Sequence, residues 1–363
     1  MLKLCYLADA DSIHTRKWVD YFSKLGHEIH LISMRSTEYK YNNNVKLYVI
    51  NPKIKHKLGY FLLINSIRKL VKKIQPDILH SHYASSYGLF GRMCNYHPFV
   101  VSVWGSDVYE FPQLNKLNNK LLTYILKGTD SVCSTSNNMA AETRKYYNEK
   151  DIIITPFGVD IEKFKNKKPI MSDGVITIGV AKGLEEIYGL NYLIEAFTQL
   201  RNKNSDKNLN LMIVGDGSQK ETLIKQCTEN GILSNVIFTG AVDNNKVPDY
   251  INKMDIVCIP SLSESFGVSA VEACACGRPV VSTNVGGLTE IVIDNFSGFT
   301  VNPKDSNAIC EKLDYLINNV DEAIRISSNS RKVVEEKYNW LKNAETMHKL
   351  YEMLVAKRGR LDG

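Results

Sequence analysis

Residues 255–281 read DIVCIPSLSESFGVSAVEACACGRPVV, and the order of residue types along them decides the fold. Asp255 to Pro260 is a short apolar run rich in β-branched side chains, the pattern of a buried strand. Ser261 to Gly267 gathers turn formers. Val268 to Cys276 is small and apolar without a breaker, and Gly277 and Pro279 follow it, so a helix is expected here, closed at Gly277 and stopped by the proline. Two acids frame the turn. Glu264 falls in the turn, at the carboxyl end of the strand. Glu272 falls in the helix, where side chains lean toward the N-terminus, so its carboxylate is expected to point back to the same crevice. Both acids can then face one ligand.

The same alternation runs outward in both directions. Ahead of it come LKLCYLA, a helix through Trp18 to Leu25, HEIHLIS, DILHSHY, FVVSVWG, SVCST and IIITPFG; after the polar stretch NKKPIMSDG the pattern restarts with VITIGVA, a helix from Gly189 to Leu200, LNLMIVG, NVIFTG, DIVCIP and PVVST. Strands alternating with helices predict parallel sheets covered on both faces. The fold class expected is α/β, with two Rossmann-like doubly wound domains facing a central cleft. Residues 1–168 would form the first domain and 169–340 the second, with a linker near 165–174. Residues 341–363 would be a C-terminal helix packing back on the first domain.

At 363 residues and 44% hydrophobic, the chain can fill two cores of ordinary size. No run approaches the roughly eighteen uninterrupted apolar residues of a membrane span, and MLKLCYLADADS turns acidic too early for a signal peptide, so a cytoplasmic location is expected. The eight cysteines are scattered without a C-x-x-C pair, which argues against disulfides and a zinc site. Residues 1–168 carry 25 Lys and Arg against 14 Asp and Glu, a net +11, and the remainder 20 against 25, a net −5. A basic half suits nucleic acid, an anionic membrane or a phosphorylated substrate, and only motifs can choose. The segment Lys53 to Gln75, KIKHKLGYFLLINSIRKLVKKIQ, interleaves basic and apolar residues. It reads either as a core-packed helix with a solvated basic face or as a helix lying on an anionic membrane surface.

Carboxylates accept sugar hydroxyls, and backbone N–H groups at a helix start hold phosphate. Glu264 to Glu272 accordingly resembles the E-x7-E motif of family 4 of the retaining glycosyltransferases, and SESFGVSAVEA, GRPVV and VGGLTEIV around it are similar to that family. HSHY at 80–83, WGSDV at 104–108, PFGVDIEKF at 156–164, GDG at 215–217 and VIFTGAVDNNKVPDYINKMDIVCIPS fall in the family's order, so the resemblance spans nearly the whole chain. It implies the GT-B fold and metal-independent transfer of a hexose, with retention, from a nucleotide-sugar donor. A UDP-sugar is the guess, and the acceptor would be a hydroxyl of a glycan or lipid-linked sugar in cell-surface polysaccharide biosynthesis at the cytoplasmic membrane.

Residue by residue, the resemblance places Glu264 against the donor sugar and Glu272 on the ribose. Ser265, Phe266, Gly267 and Val268 would lend backbone donors to the diphosphate, and His82 would lie near the transferred sugar. The family usually has Arg and Lys after the first strand of its second domain. Here GVAKGLEEIYGL puts Lys182 in the first place and Tyr188 in the second, so Lys182 would meet the leaving diphosphate alone. DADSIHTRKW replaces the family's N-terminal Gly-Gly loop, which assigns Ser12 and His14, with Asp107, to the acceptor side. The histidine pair 80 and 82 lacks the further ligands a metal needs.

Three rival classes are set against this reading. A dinucleotide-dependent oxidoreductase would use LMIVGDG, but Lys220 stands where the fingerprint needs its third glycine. A nucleotide-sugar-binding protein without catalysis, or a nucleotide-sugar hydrolase, is the alternative function; mere binding would require neither Glu264 nor His82. Nucleic-acid binding lacks an aromatic strand face or a recognition-helix signature.

Overall fold

The computed structural model describes residues 1–51 and 57–361, the side chains of 57–62 and of 360–361 excepted. The chain divides into two compact units, Met1–Phe157 with Lys342–Gly363, and Gly158–Leu341. The first holds seven parallel strands: β1 (Lys3–Leu7), β2 (Glu28–Ser33), β3 (Val45–Val49), β4 (Ile78–His82), β5 (Phe99–Val103), β6 (Ser131–Ser134) and β7 (Ile152–Ile154), in the order β3-β2-β1-β4-β5-β6-β7. The second holds six: β8 (Val175–Ala181), β9 (Asn208–Val214), β10 (Val236–Gly240), β11 (Ile256–Ile259), β12 (Val280–Thr283) and β13 (Gly298–Val301), in the order β10-β9-β8-β11-β12-β13. Each sheet is a doubly wound one. β3 and β13 escaped the sequence reading, β3 because it is a partly exposed edge strand whose residues alternate without a continuous apolar run, β13 because its four residues, GFTV, open on a glycine.

Hydrophobic spacing explains how helices seat on these sheets. In Ile13–Lys24 the buried positions are Thr15, Trp18, Val19, Phe22 and Ser23, one face of a 3.6-residue period. The last helix, Trp340–Leu361, packs on the first sheet. It buries Ala344, Met347 and Tyr351, and the Tyr351 hydroxyl lies 3.2 Å from that of Tyr6 on β1 and also bonds His80 on β4.

One expectation needs correction. The polar stretch near 165–174 is not a free linker: Arg278, fully buried in the second unit, binds the Asn166 side chain at 2.7 Å and the Lys168 carbonyl at 2.5 Å, and the Asn252 side chain accepts from the Lys167 N–H at 2.7 Å. These bonds draw the stretch into the second unit, and the division falls at Gly158 instead. Of the segment Lys53 to Gln75, Lys53 and Lys55 lie outside the described residues, as do the side chains of Lys57, Tyr60, Phe61 and Leu62. In the helix Lys57–Ile74, Leu63, Ile64, Ile67, Val71 and Ile74 are buried in the first unit's core. These five side chains are spent on packing, while Lys69, Lys72 and Lys73 remain exposed.

Candidate active site

β8 and β11 are neighbours, yet the chain leaves β8 toward β9 on one side and reaches β11 from β10 on the other. Connections leaving such a pair cover opposite faces of the sheet, and a crevice opens at the carboxyl ends of its strands. Lys182 follows β8 directly, and Ser261–Gly267 follow β11. The Lys182 ammonium forms an ion pair with the Glu264 carboxylate, each side chain only 13% and 12% exposed. Beneath the ammonium lies the ring of Tyr188, its centroid 4.3 Å away, an attraction between cation and ring quadrupole that strengthens as water is excluded. Ser261 Oγ donates to the same carboxylate at 3.5 Å.

Glycines bring the loops this close. A Cβ on Gly286 would stand 1.8 Å from the Glu264 carbonyl oxygen, which also accepts from the Gly287 N–H at 3.2 Å. A Cβ on Gly215 would stand 1.9 Å from the Lys182 carbonyl oxygen. The first glycine of GDG therefore lets the end of β9 pass the residue that carries the cation, a steric role with no dinucleotide in it. The helix Val268–Ala275 follows Gly267, with its first-turn N–H groups at the carboxyl end of β11. It closes through Arg278 N–H donating to Ala273 C=O at 3.0 Å. Glu272 is half-buried on its second turn, Ser265 and Val268 are half-buried, and Phe266 is buried against Tyr338. The second unit thus brings Lys182, Tyr188, Glu264 and the Ser265–Val268 segment to one strand-end crevice.

In the first unit the corresponding crevice lies at β1 and β4, where the winding also reverses. His82 ends β4 and is buried, with Nδ1 3.4 Å from Thr15 Oγ1 and Nε2 lacking a hydrogen-bond partner among the described residues. Burial, then the neighbouring His80 and His14, holds its pKa well below the usual histidine range, so the ring is neutral. Trp104 lies against it, ring centroids 4.6 Å apart. His14 stacks on Phe157 at 3.7 Å, and burial followed by the charge of Lys17 lowers its pKa to about 4. Ser12 is the N-cap of Ile13–Lys24 and makes no cap bond with its side chain.

The two histidines of HSH separate in role. His80 is bonded at both nitrogens, Nδ1 to the Tyr351 hydroxyl and Nε2 to Ser102 Oγ at 2.8 Å, and it serves the packing of the last helix. Sequence reasoning missed this network because its partners stand 271 and 22 residues away. Asp107 leaves the acceptor side: it is fully buried, and its carboxylate accepts the N–H groups of Ala84 at 2.7 Å, Trp104 at 3.1 Å and Gly105 at 2.8 Å. A carboxylate so occupied ties two strand-end turns together instead of meeting a substrate. Gly286 and Gly287, absent from the expected site, were legible only as VGGL, a glycine pair without apparent purpose until its neighbour is known. Among the described residues no three His, Cys, Asp or Glu side chains gather into a possible metal site.

Residues 160–333 match the family described as glycosyl transferases group 1, and residues 3–136 match glycosyl transferase 4-like. An uncharacterized glycosyltransferase of Methanocaldococcus jannaschii is 28% identical over 334 residues, 90% of each chain. The O-antigen chain mannosyltransferase C of Escherichia coli is 29% identical over 249 residues, 66% of this chain and 65% of that one. Among solved structures, Anabaena HepE in complex with UDP aligns over 97% of this chain and all of its own, with a TM-score of 0.81 and 17% identity. At that identity the likeness speaks for the fold, which is GT-B.

Proposed function

The chain belongs to the glycosyl transferases group 1 family, and on that footing we propose that it moves a hexose from a nucleotide-sugar donor to a hydroxyl of a glycan or lipid-linked sugar, with retention and without a metal ion. The observation that carries this reading is the Lys182–Glu264 pair over Tyr188 at the strand-end crevice of the second unit. A diphosphate arriving there competes with Glu264 for the ammonium. As Lys182 turns to the diphosphate, the Glu264 carboxylate is released to accept hydroxyls of the donor sugar. Lys182 and the first-turn N–H groups after Gly267 then face the charge that grows on the leaving diphosphate, where fixed charges and dipoles lower the barrier most. Glu272 takes the ribose hydroxyls, and the backbone of Ser265, Phe266, Gly267 and Val268 takes the phosphate oxygens. A UDP-sugar is the donor we favour, in keeping with UDP in the HepE complex.

Acceptor recognition is assigned to the first unit, with Ser12 and His14, and His82 is set near the transferred sugar. An unpaired buried imidazole nitrogen costs on the order of 1–3 kcal/mol, so a ligand hydroxyl that pairs with His82 Nε2 is favoured. The similarity to an O-antigen mannosyltransferase supports an acceptor in surface polysaccharide assembly. Incubation with a panel of nucleotide sugars, first alone and then with glycan acceptors, tests the proposal, with NMR reading the anomeric configuration of the product. Release of free sugar without transfer to any acceptor would favour the hydrolase reading, binding without turnover would favour the binding protein, and an inverted product would overturn retention. Activity that survives thorough chelation is expected.

A further inference from the structure

β4 and β5 end side by side in the first unit, and the turns that follow them are tied to each other. Tyr83, directly after His82, adopts a positive φ of 79°, a left-handed conformation that strains a residue with a side chain. The buried Asp107 carboxylate takes the N–H groups of Ala84 in one turn and of Trp104 and Gly105 in the other. The Tyr83 hydroxyl bonds Ser106 Oγ across the same gap. What these bonds fix in place is Trp104. Its ring lies 4.6 Å from that of His82, 5.4 Å from Phe157 and 5.8 Å from His14, centroid to centroid. His82 and Phe157 are buried, whereas Trp104 and His14 are only half-buried. Neither the Trp104 indole N–H nor the His14 imidazole has a hydrogen-bond partner among the described residues.

We propose that the acceptor stacks on Trp104, and that what it presents there is an uncharged, hydroxyl-bearing sugar ring. With the acceptor assigned to the first unit and His82 to the transferred sugar, a reading on which this proposal rests, a ring lying on Trp104 is the immediate neighbour of the sugar that moves. A pyranose offers a face of C–H groups whose slight positive charge suits the negative face of an indole, and covering that face removes apolar surface from water. Hydroxyls on its rim both donate and accept. They therefore match an indole N–H that only donates and a neutral imidazole that donates at one nitrogen and accepts at the other. Other ligand classes fit less of the cluster. A phosphate or carboxylate would meet negative ring faces close to the Asp107 carboxylate, and Lys17, whose charge reaches His14, is engaged by the Phe157 carbonyl at 3.0 Å. A quaternary ammonium suits ring faces but cannot accept from the indole N–H.

Saturation-transfer NMR on the full chain tests this. The neutral probes are the methyl glycosides of glucose, galactose, mannose and N-acetylglucosamine; methyl glucuronide and inorganic phosphate are the anionic ones, and choline is the cationic one. Irradiating the aromatic protons should saturate the ring C–H protons of at least one neutral glycoside, those of one face more than those of the other. Trp104→Leu should weaken that binding at least roughly tenfold, and Trp104→Phe, which keeps a ring but loses the N–H, by a smaller factor. Fluorescence gives a second reading: Trp18 and Trp340 are 2% and 7% exposed, so the emission that a bound sugar changes is that of Trp104, and the change should disappear in Trp104→Phe. Trp104→Phe should also keep the wild-type melting temperature and affinity for UDP. Glycoside binding that ignores both variants overturns the role of Trp104. Binding of the anionic probes or choline in preference to every neutral glycoside overturns the substrate class, and no binding of any neutral glycoside overturns the proposal entirely. A glycoside that binds on Trp104 yet receives no hexose from any nucleotide sugar would count against the transfer reading alone, whereas transfer with an unchanged acceptor KM in Trp104→Leu would count against Trp104 alone.

Discussion

The two units set crevices at equivalent places, where the winding of each sheet reverses, and fill them with opposite chemistry. At β8 and β11 the side chains are charged: Lys182 and Glu264 form a pair over Tyr188, in loops packed so closely that Gly215 and Gly286 tolerate no Cβ. At β1 and β4 they are aromatic and neutral, with His82, His14, Trp104 and Phe157 ring against ring. All eight histidines of the chain lie in the first unit and none in the second. Doubly wound topology supplies a place for a ligand but no preference for its charge. Residue choice at a few strand ends gives one such place a lysine–glutamate pair and the other a cluster of rings.

The contrast can be broken most severely at Lys182. Lys182→Ala should lower kcat by about 10²–10³-fold, the usual cost of losing a preorganised charge aimed at the leaving group, with a smaller change in donor affinity. Weaker donor binding with an unchanged rate of the bound complex, measured by calorimetry and single-turnover kinetics, would argue that the lysine acts only in the ground state.

Acid separates the units next. The pKa of His80 is lowered to about 3 by burial and that of His14 to about 4, so the folded chain stays unprotonated where the unfolded chain takes up protons. Stability therefore falls as pH drops through 6.5, the unfolded value, and goes on falling until the folded values are reached. His80 alone should cost about 3 kcal/mol at pH 4.5, from 1.36 kcal/mol per pKa unit. Hydrogen exchange, corrected for intrinsic rate, should show amides of 1–157 losing protection ahead of those of 158–341. Simultaneous loss in both would remove histidine burial as the cause.

Glu272→Ala should weaken binding of the donor nucleotide by about 1.5–3 kcal/mol, one charge-assisted hydrogen bond, while leaving hydroxyl-acceptor saturation unchanged. Titration calorimetry reads the first and the acceptor KM the second. The smallest effect is expected at Tyr188: Tyr188→Leu removes a cation–π contact worth about 0.5–2 kcal/mol, and the loss should vanish when Lys182 is already alanine. Additive losses in that double-mutant cycle would separate the tyrosine from the lysine.

Local chemistry was legible wherever the relevant partners are near in sequence. The strand, turn and helix of 255–281 follow from β-branched residues, turn formers and a closing Gly-x-Pro, and Glu264, Ser265–Val268 and Glu272 stand as that reading places them. The strand end that carries Lys182 was legible too. Asp107 was misread because nothing in WGSDV reveals that three backbone N–H groups, one of them on Ala84, consume its carboxylate. The segment Lys53 to Gln75 was ambiguous for a related reason: amphipathicity announces an apolar face without saying what covers it.

The alternation of strands and helices, the two doubly wound sheets, the charge contrast between the halves and the acids that frame the turn 261–267 follow from the sequence. All of these rest on residue type and short-range period, which a chain carries before it folds. It took the tertiary structure to show that Glu264 is held by Lys182, that His80 belongs to Tyr351 while His82 keeps a nitrogen unpaired among the described residues, and that Arg278 binds the 165–168 stretch into the second unit. Each of these depends on which strands are neighbours, and strand order is a property of the closed sheet: it sets residues many tens of positions apart within hydrogen-bond reach, at separations no local pattern encodes.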